Sequence, residues 1–180
     1  MRFDGTATTR AGAPVPVTVT YTFTPGRYLS RVQGTAGGFT GPAFLLIDLP
    51  PTLRVSEQDS VDHFNNLAYA YKPANDGAEN AGFGRLDPGE RELAAGPLAW
   101  AVAKSKYFLV GVLAPTGTPG FSELSVPGGP RTTKLATRAQ TTVVLPLQNG
   151  GFAMESYVGP QELPRLVATV RKFETSNPYG

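Results

Sequence analysis

LAWAVAKSKYFLVGVL, residues 98–113, is the stretch whose reading decides the fold. It is long, rich in β-branched and aromatic side chains, and bounded by Gly96-Pro97 and Pro115 with no proline inside, which predicts one long strand. At a period of two, Leu98, Trp100, Val102, Phe108, Val110 and Val112 share one face, interrupted by Lys104 and Lys106. Ala99, Ala101, Ala103, Tyr107, Leu109 and Leu113 share the other. Both faces are mostly apolar. A strand apolar on both sides has to be covered on both sides, so it belongs at the centre of a sheet packed against a second layer, not at an edge.

Upstream of it, Asp87-Pro88-Gly89-Glu90 predicts a tight turn into residues 91–95. Residues 67–72 (LAYAYK) and 83–86 read as strands across the turn-forming Asn75-Asp76-Gly77. Residues 54–66 are the most polar part of the chain and contain its one histidine. The apolar run 43–49, stopped by Pro50-Pro51, predicts a buried strand. Residues 17–24 (VTVTYTFT) alternate cleanly, with Val17, Val19, Tyr21 and Phe23 on one face and four threonines on the other. With 27–33 they form a hairpin across Pro25-Gly26, whereas the small, proline-interrupted residues 10–16 are a poor element.

Downstream, the Gly, Pro, Ser and Thr content of residues 115–131 predicts an exposed loop at about 116–131, with a short strand at 121–126 as its one candidate element. Residues 141–147 and 152–158 flank Gln148-Asn149-Gly150-Gly151, a hairpin signal. After Gly159-Pro160 the period changes. Leu163, Leu166, Val167, Val170 and Phe173 fall three and four apart, the packing stripe of a C-terminal α-helix over about 160–173. Glu162, Arg165, Thr169 and Lys172 then fall on its outward side. Pro164 removes an amide and delays the regular helix to about Leu163. The expected architecture is a single, mostly β domain over residues 1–180, an antiparallel sandwich with one terminal helix.

Composition excludes several functions. The 180 residues contain 16 Lys and Arg against 14 Asp and Glu, spread without runs, for a net charge of +2, which gives no case for nucleic acid. Gly 21 and Pro 17 make the chain turn-rich, and 41% hydrophobic residues keep it from being disordered. The absence of Cys removes disulfides and thiolate metal sites. No segment reaches the roughly 18 apolar residues of a membrane span, and the first ten residues, MRFDGTATTR, lack the apolar core of a signal peptide.

Constellations that could carry chemistry are few. Glu57, Asp59, Asp62 and His63 offer oxygen and imidazole ligands but match no ligand spacing, so a solvated acidic loop is the simpler reading. Asn75-Asp76-Gly77 with Glu79 has half the pattern of a calcium loop and lacks the distal bidentate Glu, which favours a turn. Lys104-Ser105-Lys106 has the residues of a nucleophile pair. Neighbours on a strand point to opposite faces, however, so neither lysine easily reaches Ser105, and the lysines instead mark where that face emerges into solvent or a cleft. No catalytic, cofactor or metal site is expected.

Residues 84–115 and, more specifically, residues 156–180 (SYVGPQELPRLVATVRKFETSNPYG) resemble the large periplasmic domain of the bacterial membrane protein insertase YidC. The second segment carries a strand ending in Tyr-Val-Gly-Pro, a helix with Glu162 and Leu166, and a terminal Pro-Tyr-Gly. VTYTFTPGRYL, residues 19–29, is similar to the family's strand-turn-strand hairpin, and residues 116–140 are unmatched. This resemblance implies an antiparallel β-supersandwich of the galactose-mutarotase-like kind, at the periplasmic face of the bacterial inner membrane, adjacent to the bilayer without spanning it. It implies a non-catalytic domain that assists the insertion and folding of membrane proteins, with accessory subunits of the Sec translocon and nascent membrane proteins as partners and no cofactor. The family's opening strands and membrane helices find no counterpart, so the expectation is the C-terminal portion of the domain, begun at an introduced or alternative Met1. On the resemblance, Glu162, Arg165, Thr169 and Lys172 form the candidate partner interface. A carbohydrate- or peptide-binding β-sandwich module is the alternative, with Trp100, Tyr69, Tyr71 or Tyr107 as its aromatic contacts. An epimerase would need a histidine acid facing a carboxylate base, and the single His63 in a polar loop makes that a poor fit.

Overall fold

The computed structural model describes residues 1–39, 41–54, 60–131, 135–169 and 171–177. Glu57, Asp59, Val170 and the terminal Pro-Tyr-Gly lie outside them. In chain order the elements are β1 (Arg2–Thr8), β2 (Pro14–Phe23), β3 (Leu29–Ala36), β4 (Phe44–Leu49), α1 (Ser60–Asn65), β5 (Ala68–Pro73) and β6 (Glu79–Gly82). They continue with β7 (Arg91–Lys104), β8 (Phe108–Leu113), β9 (Phe121–Pro127), β10 (Thr141–Pro146), β11 (Gly151–Pro160) and α2 (Leu163–Val167), with 3-10 turns at Phe83–Arg85 and Phe173–Ser176.

All pairings are antiparallel, and the strands run in the order β1-β2-β3-β11-β8-β7-β9-β10-β4, with β5 and β6 branching from β7. The sheet curls into a β-supersandwich. Val32 of β3 and Leu49 of β4, far apart in strand order, meet in one core with Tyr69, Phe83, Phe121 and Val143. A second core on the other face of the central strands holds Trp100, Val102, Leu113 and Tyr157, closed by Leu166 and Phe173 from the C-terminal segment.

The decisive stretch lies at the centre, covered on both faces, yet it is two strands rather than one. Chain direction reverses at Ser105-Lys106-Tyr107, where the Ser105 amide donates to the Phe108 carbonyl (2.8 Å) and its hydroxyl braces the Phe108 amide (3.3 Å). β8 then returns along β7, pairing Ala103 with Val110 and Trp100 with Leu113. Doubling back also exchanges the faces. Leu109 and Leu113 join Trp100, while Phe108 is turned to solvent. Leu98 departs from Trp100 as well, because the register slips between its pairing with Pro73 and that of Trp100 with Lys72, and an extra residue in a strand reverses the alternation.

Four further expectations change. Within the exposed loop expected at about 116–131, the candidate strand at 121–126 forms as β9, but inside the sheet: it lies between β7 and β10 with Phe121, Leu124 and Val126 fully buried. The run 43–49 forms β4, but among the described residues it is an edge strand paired only with β10, and Leu46 is 66% exposed. The second strand of the 67–86 hairpin is Glu79–Gly82, and Phe83–Arg85 is a 3-10 turn. The Gln148–Gly151 turn closes with reciprocal backbone bonds, and Asn149 and Gly150 both take positive φ (50° and 76°), the geometry that Asn-Gly serves. Its strands nevertheless diverge, β10 to β9 and β4, β11 to β3 and β8, so the turn links distant parts of the sheet instead of closing a hairpin. Two elements, β1 and α1, form where the sequence signals none.

Candidate functional site

The C-terminal segment and the strand ends beneath it form the most feature-rich surface. β11 ends at Pro160, whose carbonyl accepts a hydrogen bond from the Tyr157 hydroxyl (2.8 Å). Tyr28, just before β3, lays its ring over Gly159, where a Cβ would come within 2.6 Å of Tyr28 Cγ, so the glycine is what admits the ring. The Arg165 guanidinium lies 4.9 Å above the same ring and pairs with Glu162, whose hydrogen bond holds the guanidinium pKa above its ordinary value. Beside this assembly opens a groove of about 880 Å³ lined by Tyr28, Leu53, Phe108, Val110, Val158 and Pro160. Tyr28, Phe108 and Val158 are exposed large apolar side chains, and clustering in a groove is what distinguishes them from isolated surface hydrophobics.

The expected helix over 160–173 is only Leu163–Val167, and its stripe is only half realised. Leu166 and Phe173 are fully buried, whereas Leu163 and Val167 face solvent. The helical path stops after Val167, and Arg171 and Lys172 take left-handed φ values (65° and 54°), so a spacing of three and four no longer keeps one face. Of the outward set, Glu162, Arg165 and Lys172 are exposed, but Thr169 is buried and donates its hydroxyl to the Leu166 carbonyl (2.8 Å). The segment that follows is tied to the sheet: Trp100 Nε1 donates to the Arg171 carbonyl (3.3 Å), and Arg171 pairs with Glu155 and donates to the Ala114 carbonyl (2.9 Å).

The other candidates separate. Asp62 pairs with Lys106 (2.9 Å), while His63 is buried with Nε2 against the Leu53 carbonyl (3.1 Å), and no metal-ligating cluster occurs among the described residues. Asp76 caps its own turn through the Gly77 amide (2.7 Å). Tyr69 and Trp100 are core residues, Tyr71 reaches Glu92 (3.3 Å), and Tyr107 is half exposed beneath Lys106. Of the two lysines expected where that face emerges into solvent or a cleft, Lys106 is exposed and Lys104 lies in the wall of a cleft. Lys104 is 7% exposed, donates to Asn80 Oδ1 (2.8 Å) and to the Ser176 carbonyl, and desolvation lowers its pKa to about 8. Sequence reading missed Tyr28 and Phe108 as surface groups. The parity of an unbroken strand puts Phe108 in the core, and nothing in the sequence marks the glycine that seats Tyr28.

The fold and this surface define a β-sandwich domain whose accessible feature is an apolar groove beside a short terminal helix. The sequence model of the YidC periplasmic domain family matches residues 6–180, and the chain belongs to that family. It is thereby a domain of a YidC-type insertase, a non-catalytic family whose domain lies in the periplasm near the membrane. The match takes in residues 116–140, which the sequence resemblance left out. A search of curated proteins finds no match. Among the described residues, no helix is long and apolar enough to cross a membrane.

Proposed function

We propose that this domain assists membrane-protein insertion and folding by contacting accessory subunits of the Sec translocon through its C-terminal segment and the groove beside it, with nascent membrane proteins as the second partner. The observation that supports this reading is the groove, in which Tyr28, Phe108 and Val158 are clustered and exposed next to the Glu162–Arg165 pair. Apolar side chains rimmed by a few charged groups suit association with another protein, the apolar floor supplying burial and the rim orientation. Buried Leu166 and Phe173 hold the segment down, leaving Arg165 and Lys172 to face outward.

The test places Arg165→Glu with Lys172→Glu in the full-length protein and measures association with the Sec accessory subunits and insertion of a Sec-dependent substrate. Both measurements are expected to fall while the domain's melt stays within about 0.5 kcal/mol of the parent, as for surface substitutions generally. If neither moves, while Leu46→Glu on the exposed edge strand β4 reduces association, the interface is at the other end of the strand order and the C-terminal segment is only structural.

A further inference from the structure

A second cavity, of about 470 Å³, opens at the end of β7, with Asn65, Asn80, Lys104, Lys106, Gln161 and Asn177 in its wall. Its chemistry differs from that of the apolar groove. A buried ammonium is ordinarily balanced by a carboxylate. Among the described residues Lys104 has only neutral acceptors, Asn80 Oδ1 and the Ser176 carbonyl, and no carboxylate among them forms an ion pair with it, so they leave one N–H and a whole positive charge unanswered. In the same wall, Gln161 commits its amide nitrogen to the Ser105 carbonyl (2.5 Å), and its buried Oε1 receives no hydrogen bond.

The wall thus asks for a ligand that is anionic toward Lys104 and a donor toward Gln161. A carboxylate or sulfate meets only the first requirement, and an amine only the second. Lys106 adds a rim charge that Asp62 largely balances, so selectivity falls to Lys104 and Gln161. We propose that this cavity binds a phosphate group that carries a donor hydroxyl, either free hydrogen phosphate or the phosphoglycerol headgroup of an anionic lipid. A phosphate oxygen accepts from Lys104 Nζ, while the P–OH or the glycerol hydroxyl donates to Gln161 Oε1. Desolvation lowers the Lys104 pKa with nothing to offset it, and a bound anion is such an offset. The site is separate from the groove and does not depend on the Sec reading.

The experiment titrates the 180-residue chain, in buffer free of both anions, with inorganic phosphate, sulfate and glycerophosphoglycerol, following the side-chain amide resonances of Asn80 and Gln161. Phosphate or the headgroup is expected to shift them saturably, with sulfate at least about tenfold weaker, a difference of about 1.4 kcal/mol. Lys104→Met is expected to lose binding. Gln161→Glu, which keeps the side chain's size and puts a carboxylate in the wall, is expected to lose it too, so the result does not hang on the folding of the lysine variant. Saturation by phosphate alone assigns the free anion, and tighter binding of glycerophosphoglycerol assigns the lipid headgroup. Saturation by neither, equal binding of sulfate, or unchanged binding in both variants overturns the proposal.

Discussion

Lys104 makes the stability of this domain pH-dependent, with a sign that can be worked out in advance. Its folded pKa is about 8 against 10.5 for the free side chain, so between those values the unfolded chain binds more protons than the folded one, and stability must rise with pH. Below about pH 8 the ammonium is charged in both states and the folded state carries the full desolvation cost, about 3 kcal/mol for a shift of this size. Raising the pH from about 7 to about 9.5 relieves roughly 2 kcal/mol of it, and the rest follows toward pH 10.5. Above about pH 10 the tyrosines oppose the trend. Burial raises Tyr69 to about 12 and raises Tyr71 and Tyr157 as well, so the stability they contribute is lost as pH climbs. The clean window is therefore pH 7 to 9.5, read by urea melts in buffers without phosphate or sulfate. Lys104→Met removes the titrating charge but strands the Asn80 and Ser176 oxygens at about 1–3 kcal/mol each, so absolute stability at pH 7 is not the diagnostic quantity. The diagnostic is the difference in slope. The parent should gain about 2 kcal/mol over the window relative to the variant; profiles that run parallel within about 0.5 kcal/mol would show that Lys104 is solvated and refute the reasoning.

Two further outcomes follow from packing. Trp100 is fully buried, with its ring edge-on to Phe173 at 5.5 Å, so Trp100→Ala should cost about 3–5 kcal/mol in a denaturant melt; a loss under about 1 kcal/mol would mean that the ring is not enclosed as described. Gly159→Ala brings a methyl within 2.6 Å of Tyr28 Cγ and 2.9 Å of its Cβ, atoms too near the backbone to swing away, and should cost about 1–3 kcal/mol while shifting the Tyr28 ring resonances; unchanged resonances would show that the ring does not lie on this glycine.

What could be read from the sequence was whatever depends on local pattern. The two apolar faces of residues 98–113 require a central position, and the position is central because burial on both sides has no other solution. The alternation of residues 17–24 likewise produced β2 and its partner β3. Strand count within a long apolar run was not legible, because Lys104-Ser105-Lys106 looks the same to a period-two reading whether the chain continues or doubles back. Only the pairing of Ser105 with Phe108 decides it. The Gln148–Gly151 signal shows a different limit. Turn chemistry determines the turn, but which strands flank it is decided by partners a hundred residues away, Leu29–Ala36 for β11 and Phe44–Leu49 for β10. The terminal helix is shorter than its stripe implies because the spacing runs on through Arg171 and Lys172, and a left-handed backbone at non-glycine residues has no marker in composition.

That left-handed turn explains how the C-terminal segment is held. A continuous helix would have satisfied its own amides and carbonyls and docked through side chains alone. Once helical geometry lapses, the carbonyls of Arg171, Thr175 and Ser176 are available, and each is taken by a side chain of the sheet: Trp100, Asn80 (3.3 Å) and Lys104 respectively. Phe173, between the Trp100 and Tyr157 rings, supplies the apolar anchor. The path of the segment is therefore dictated mainly by residues in β6 and β7 that grip its backbone, and little by the segment's own exposed side chains. Substitutions at Glu162, Arg165 and Lys172 can then alter what the surface contacts without altering where the chain runs, which is the separation an interaction surface on a stable domain requires.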